Sequence, residues 1–229
     1  MEVEILARPA NAAACVTLAA GETFTAEGGA MIAMSADVSV DTSVSRKQGG
    51  GRLLRGMARG LGGESIFLNH YTAGPAGGTV YLSTPLPGDM VPIALDGTVG
   101  VRVQNGSFVA HESGVDMEIS WGGLKNVFSG ENPIWLRFGG SGKVVINAFG
   151  AIYPVAVDGE YVVDTGNIAA FQETLDYRIT RAGRSLAGSF AGGEGLVCRF
   201  SGTGTVWCQT HADRVFGAKL TPYLIPRKN

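Results

Sequence analysis

The sequence predicts an all-β protein that forms one compact body over residues 1–229, and its composition supports this prediction. Glycine is abundant, at 35 of 229 residues, and is scattered between short apolar runs, which is typical of a chain with many tight reversals. Apolar residues make up 45% and charged residues 17% of the chain. This composition excludes a disordered chain and leaves ample material for a core. Similar passages also recur along the sequence, which indicates an internally repeated fold.

Three of these passages open with Gly-Glu, continue into apolar residues, reach glycines and end in a Val-containing run. They cover residues 63–84, 130–147 and 193–210. Each predicts a strand, a glycine-rich turn and a second strand, that is, a hairpin. We therefore assign a structural role to the residues of this hairpin motif: Gly63, Glu64, Gly130, Glu131, Gly193, Glu194, Gly202, Gly204 and Trp207.

A second repeated pattern places an alanine four residues after a glycine and an aspartate four or six residues after the alanine. The three sets are Gly29, Ala33 and Asp37; Gly106, Ala110 and Asp116; and Gly166, Ala170 and Asp176. Together the two patterns divide the chain into a first, second and third segment, at about 1–97, 98–159 and 160–229. No segment is large enough to bury its own apolar face. We therefore expect the three to pack together around a pseudo-threefold axis.

Individual strands are predicted from short apolar runs and from alternation of apolar and polar residues. In the first segment these are Val3–Leu6, Cys15–Leu18, Ala30–Met34 and Val38–Val44, the last with a clear period of two. Later strands are separated by Asp-Gly pairs at 96–97 and 158–159. Asp-Gly is a strong hairpin signal, so both pairs predict a chain reversal.

One stretch, residues 46–63, departs from the strand pattern and is the candidate interaction site. It contains five basic residues and no acidic one, within a chain of net charge −2, and we expect a loop with one or two helical turns. A solvated loop over a sheet edge is the first interpretation. An anionic membrane surface or a protein partner is the second, and nucleic acid is the least favoured because stacking aromatics are missing. The residues of this basic patch are Arg46, Lys47, Arg52, Arg55 and Arg59.

The three cysteines do not form a disulfide framework. An odd count without a Cys-x-x-Cys pair favours a reducing compartment, and the first residues do not have the form of a secretory signal, so the expected location is cytoplasmic. Cys198 and Cys208 are predicted on opposite arms of the last hairpin. A disulfide between them stays open, but two buried thiols are favoured.

No catalytic, metal or cofactor site is predicted. His70, His111 and His211 lack metal-ligand spacing. Residues 139–143 look like a phosphate-binding loop, but Val144 replaces the Ser or Thr that would bind a metal. The repeated acids Glu64, Glu131 and Glu194 are interpreted as turn acceptors or as partners of arginines such as Arg137 or Arg199, with a shared cation site as the alternative.

The last Gly-Glu passage, 193–210, together with the basic stretch and the Asp-Gly pairs, resembles the "altered inheritance of mitochondria" family. The resemblance covers Phe24–Tyr223. It implies a fold like that of the tryptophan RNA-binding attenuator protein (TRAP), a shortened double-stranded β-helix described as two TRAP-like domains, whereas the segments counted here are three. It implies no established activity. Eukaryotic relatives are associated with mitochondrial inner-membrane organisation, but the chain has no Arg- and Ser-rich transit peptide.

These observations favour a non-enzymatic scaffold or interaction protein that forms a homo-oligomer, because exposed strand edges need to be covered. A nucleic-acid or small-ligand binding module that uses residues 46–63 is the alternative. A cupin-like metal-dependent enzyme is the second alternative.

Overall fold

The computed structural model describes residues 1–45, 66–121, 134–181 and 196–225. In these ranges the protein is all-β, with large antiparallel sheets and one short α-helix. The strands are β1 Glu2–Leu6, β2 Ala13–Leu18, β3 Thr23–Glu27, β4 Met31–Met34, β5 Val38–Ser45, β6 Ile66–Ala73, β7 Gly78–Leu82, β8 Met90–Asp96, β9 Val101–Gln104, β10 Phe108–Glu112, β11 Val115–Trp121, β12 Ile134–Asn147, β13 Ile152–Asp164, β14 Ile168–Gln172, β15 Leu175–Arg181 and β16 Leu196–Gln209. The helix, which the sequence analysis missed, is α1 Asp213–Leu220.

The hairpin predicted at 193–210 is wrong, because its described part is one strand, β16. Gly202 of β16 has φ 113° and lies opposite Gly159 of β13, which has φ 98°. Glycine reaches such positive φ values at little cost, and the two facing glycines let both strands bend at the same point. The Asp-Gly pair at 158–159 therefore lies inside β13, and the reversal predicted there does not occur.

The other two predicted hairpins do not form either. Residues 134–147 form the single strand β12, which pairs with β9 and β11 along its first half and with β8 and β10 along its second half. In the first segment β6 pairs with β3 and β5, whereas β7 pairs with β2 and β4. The two predicted arms thus enter different sheets. The Asp-Gly pair at 96–97 ends β8, and the next strand, β9, continues along β12.

Cys198 and Cys208 lie on the same strand and not on opposite arms, and all three cysteines are free thiols. Both side chains are buried in the core formed with Phe171 and Phe200. Burial disfavours the thiolate and raises the pKa of Cys198 to about 12 and that of Cys208 to about 11. They act as small apolar side chains with little nucleophilic character.

The Gly-Ala-Asp spacing has a structural explanation in the strand pairs β4–β7, β10–β12 and β14–β16. Each pair contains one register shift, between Met31 and Ala33, Phe108 and Ala110, or Ile168 and Ala170. An extra residue in one strand is a β-bulge, which bends the strand and increases its twist. The repeated alanine follows the bulge in every case. The residues in the bulges are Ile32, Val109 and Ala169.

Among the strand pairings that join the segments, two have the same register, and we call them junctions. Junction 1 pairs β10 with β3, with Ala110 opposite Ala26 and Glu112 opposite Phe24. Junction 2 pairs β14 with β9, with Ala170 opposite Val103 and Gln172 opposite Val101. In both, a strand that contains a bulge pairs with a strand from earlier in the chain.

The apolar cores extend across the junctions. Val109, Ala110 and Val145 of the second segment belong to the same buried cluster as the first-segment residues Phe24 and Tyr71. Ala169 and Ala170 of the third segment likewise pack into the core of the second. Buried apolar contact across strand pairs is the main stabilising term for such sheets. Each segment is therefore packed on its neighbour by side chains as well as by main-chain hydrogen bonds.

Candidate functional site

Most residues singled out in the sequence lie outside the described ranges. These include the whole basic patch (Arg46, Lys47, Arg52, Arg55, Arg59) and the Gly-Glu pairs of the hairpin motif (Gly63, Glu64, Gly130, Glu131, Gly193, Glu194). The remaining motif residues Gly202, Gly204 and Trp207 lie in β16. Trp207 packs against the second-segment core.

Each of the three histidines has a hydrogen-bond partner. His70 contacts Thr25 Oγ1 at 2.9 Å and Ser43 Oγ at 2.7 Å, so both ring nitrogens have partners. His111 is buried, with Nδ1 2.9 Å from the carbonyl of Glu112. Burial lowers the pKa of His111 because the charged imidazolium loses its hydration. No group of three His, Cys, Asp or Glu side chains with metal-binding geometry occurs in the described part of the chain.

The sequence analysis missed two ionic contacts, one within the first segment and one between the second and third segments. Arg8 binds the buried carboxylate of Asp89 through two hydrogen bonds of 2.7 and 2.9 Å. Arg137, for which the sequence suggested a repeated glutamate as partner, donates to Glu173 at 2.9 Å, beside junction 2. These hydrogen bonds raise the pKa of Arg137 and that of Arg8. Both contacts join residues distant in sequence, so no local signal could have indicated them.

A cleft lies where the three segments approach one another, with walls that include Gly28, Gly106, Asn147 and Gln209. The amide of Gln209 accepts a hydrogen bond from Phe149 N–H at 3.0 Å and donates to the Gly166 carbonyl at 2.8 Å. Because the amide already has these main-chain partners, its primary role is to hold the loops. The cleft carries little of the chemistry expected of a catalytic centre.

The feature with clear functional character is the strand β4, Met31–Met34, which we call the open strand. All four residues are apolar and exposed; Ile32 is 58% exposed, Met31 41% and Met34 38%. The strands that occupy the same place in the other two segments, β10 and β14, are buried over their first four residues. The bulge residues Val109 and Ala169, which correspond to Ile32, are 0% exposed.

Neighbouring strands explain this difference. β10 has β12 on one edge and β3 on the other, and β14 lies between β16 and β9. β4 pairs with β7, and no second strand within the described ranges lies on its other edge. An apolar strand with an unpaired edge is a ready template for another strand.

In the described ranges β13 also has an uncovered edge, because it pairs with β16 on one side only. Tyr161 lies opposite Phe200 of β16 in the strand pair. The corresponding pairs in the other segments are Phe24 with Tyr71 and Val101 with Phe138. Phe24 and Val101 lie in the junctions and are buried, whereas Tyr161 is 44% exposed. The neighbouring Val162 is 45% exposed. We call Tyr161–Val163 the open edge. A shallow cleft follows it, lined also by Tyr153 and Cys208.

The sequence contained a signal for the open strand that was not used. Residues 30–34 were predicted as a strand, but the run Met31–Met34 is apolar without alternation. A strand that is solvated on one face should alternate. A continuous apolar run therefore indicates a strand covered on both faces, which is the environment of β10 and β14 but not that of β4.

Comparisons with known proteins show what the chain is similar to. The profile of a family described as mitochondrial biogenesis AIM24 matches residues 3–211. The X-ray crystal structure of protein SPYM3_0169 from Streptococcus pyogenes has a similar fold, with a TM-score of 0.78 and 24% identity, over 97% of this chain and 99% of that one. No match was found among curated proteins. Within the described ranges, every helix is too short or too polar to cross a membrane.

Proposed function

This chain belongs to the mitochondrial biogenesis AIM24 family, and we propose that it is a non-enzymatic scaffold protein that assembles with copies of itself. The observation that carries the proposal is the exposure of the open strand, compared with the burial of the corresponding strands β10 and β14. The strand with the bulge is buried inside the molecule in two segments, as β10 and β14, and is exposed in the first segment, as β4. Exposed apolar patches of this kind mark interaction sites.

Magnitudes indicate what the open strand contributes. Fully burying an exposed Ile or Met side chain stabilises a complex by roughly 1.5–3 kcal/mol, and Ile32 and Met31 begin only partly exposed. Association costs about 4–15 kcal/mol in lost freedom of movement. The side chains of β4 alone are therefore too few, and stable assembly also requires main-chain pairing and an apolar surface on the partner.

We include the finer architecture in the proposal. The three segments are arranged around a pseudo-threefold axis that stays open between β4 and β13, as in a shortened double-stranded β-helix of the TRAP-like type. The shared position of the three bulges and the common register of the two junctions support this arrangement.

The other expectations have less support. A cytoplasmic location and a contact of residues 46–63 with an anionic membrane surface or a protein remain predictions, and the basic patch lies outside the described residues. Nucleic-acid binding and a cupin-like enzyme are alternatives that no contact or charge cluster in the described ranges favours.

Light scattering coupled to size exclusion tests the scaffold proposal. We expect the full chain to elute as an oligomer at micromolar concentration, and Ile32→Asp to elute as a monomer, because a charge on the open strand would have to lose its water in the assembly. Val215→Asp is the matched control, since Val215 of α1 is exposed to the same degree, 57%. Its oligomer should persist. A wild-type chain that is strictly monomeric would contradict the proposal.

A further inference from the structure

We propose that the open strand of one molecule pairs with the open edge of a second molecule, so that the protein assembles head to tail. The inference rests on the proposed self-association and names its partner surface. It follows from the two junctions inside the chain. In each of them a strand that contains a bulge pairs with a strand from earlier in the chain. β10 pairs with β3, and β14 pairs with β9.

Within the described ranges, one strand of each kind is left without such a partner. β4 contains a bulge, as β10 and β14 do, but in those ranges no strand lies on its other edge. β13 has the same pairing with β16 that β9 has with β12, but no later bulged strand lies on its other edge within the described ranges. A second molecule supplies both missing partners at once.

The register of the proposed contact follows from the internal ones. In junction 2, Ala170 lies opposite Val103, Phe171 opposite Arg102 and Gln172 opposite Val101. The corresponding pairs between two molecules are given by position in the strands: Ala33 with Val163, Met34 with Val162, and Ser35 with Tyr161. A shift by one residue would turn every side chain to the other face, so the register is a specific part of the inference.

The surfaces fit each other chemically. Ile32 and Met34 are apolar and exposed on one side, and Tyr161 and Val162 are apolar and exposed on the other. Contact would cover them as junction 1 covers Phe24 and Val109, which are 1% and 0% exposed. The backbone groups on both strand edges would gain the hydrogen bonds that β3, β9, β10 and β14 already make.

Head-to-tail contact has a consequence for assembly. Each molecule offers two different surfaces, so a dimer still has one open strand and one open edge. Such heterologous contacts continue until a ring closes, or form a filament. Contact between two identical surfaces would instead stop at a dimer.

A mixing experiment with two full-length variants tests the inference. Ile32→Asp disables the open strand and leaves the open edge intact, and Tyr161→Asp does the reverse. Each variant alone should be a monomer in light scattering, and an equimolar mixture should give a dimer of twice the monomer mass. Formation of the dimer also shows that both variants are folded. An oligomer in either single variant, or monomers in the mixture when the wild type is an oligomer, would overturn the head-to-tail pairing while leaving self-association intact.

Disulfide trapping tests the register independently of these charges. In a Cys15→Ser background, Met34→Cys and Val162→Cys are made on separate chains, mixed and oxidised. We expect a covalent dimer from this mixture on a non-reducing gel. Met34→Cys mixed with Tyr153→Cys, at a similarly exposed position of β13 (48%), should give at least tenfold less.

The trapping experiment also separates the other possible partners. A covalent dimer from Met34→Cys alone would mean contact between identical surfaces and would overturn the inference. A disulfide within a monomeric chain that carries both Met34→Cys and Val162→Cys would mean that β13 of the same chain is the partner. That result would overturn the assignment to a second molecule. A wild-type monomer in light scattering would instead remove the proposed function itself.

Discussion

Strands β4 and β10 have the same place in their segments but opposite surroundings. Both contain a bulge, and each pairs across that bulge with one strand of its own segment, β4 with β7 and β10 with β12. β10 is also held by β3 of the preceding segment, and its side chains are buried. In the described ranges no second strand lies along β4, which is exposed throughout. The environment of this strand is therefore decided by its neighbour and not by its own conformation.

The comparison also explains why the first segment keeps apolar residues on an exposed strand. Met31, Ile32, Ala33 and Met34 resemble the residues of a buried strand, and a solvent-exposed edge is usually protected by charges, proline or shortness. β4 is short, at four residues, but it contains neither a charged residue nor a proline. An apolar edge of this kind has the composition of an interface.

The largest expected effect is the difference in stability between a charge introduced at the buried bulge of β10 and a charge introduced at the exposed bulge of β4. Val109→Asp places an unpaired carboxylate in a fully buried site and should lower the free energy of unfolding by more than about 4 kcal/mol. Ile32→Asp should change the stability of the monomer by less than about 1 kcal/mol because the side chain stays in water. Chemical denaturation of both variants measures the difference. Equal destabilisation would mean that β4 is covered within its own molecule.

A smaller effect should distinguish a glycine with positive φ in β13 from a glycine without it in β12. A methyl group at Gly159 or Gly139 meets no atom within 4 Å, but only Gly159 has a positive φ, of 98°. Gly159→Ala should therefore lower the free energy of unfolding by about 1–2 kcal/mol through backbone strain. Gly139→Ala, the control, should be neutral or stabilising by about 0.5 kcal/mol. Similar urea midpoints for both variants would contradict a strained corner at 159.

The smallest effect concerns the position held by Met34 in β4, His111 in β10 and Phe171 in β14. Burial lowers the pKa of His111 below its unfolded value of about 6.5. The unfolded chain therefore binds a proton more readily, and stability falls as pH drops from about 6.5 through the lower folded pKa. His111→Phe, the residue present in β14, should flatten this decline. Thermal unfolding between pH 5 and 8 measures it, and an unchanged slope would mean that other groups cause the decline.

The parts of the fold that were predicted correctly depend on local pattern. The all-β class and the strands Val3–Leu6, Cys15–Leu18 and Val38–Val44 follow from alternation and glycine content, and the structure contains all of them. The Gly-Ala-Asp spacing was recognised as a repeat, and it marks a bulge that occurs three times. The hairpin predictions were wrong because a glycine with positive φ can form a bend within a continuous strand as well as a chain reversal.

The candidate site was accessible from the sequence only in part. A continuous apolar run at Met31–Met34 indicates an interface. The basic stretch 46–63 was preferred as the candidate site because its charges are more conspicuous. The open edge at Tyr161 had no local signal. Its residues resemble those of a buried strand, and only the pairing of Val101 with Gln172 at the corresponding place shows that a partner is missing.

The sequence by itself determined the family, the strand content and the spacing of similar segments, because these depend on residue type and on neighbours along the chain. The tertiary structure decided that β12, β13 and β16 bend as continuous strands, and that β4 and β13 remain uncovered. Both outcomes depend on which strands meet across long stretches of chain. Main-chain hydrogen bonds are chemically the same for every partner, so pairing is selected by packing and chain connection, and residue pattern alone does not specify it.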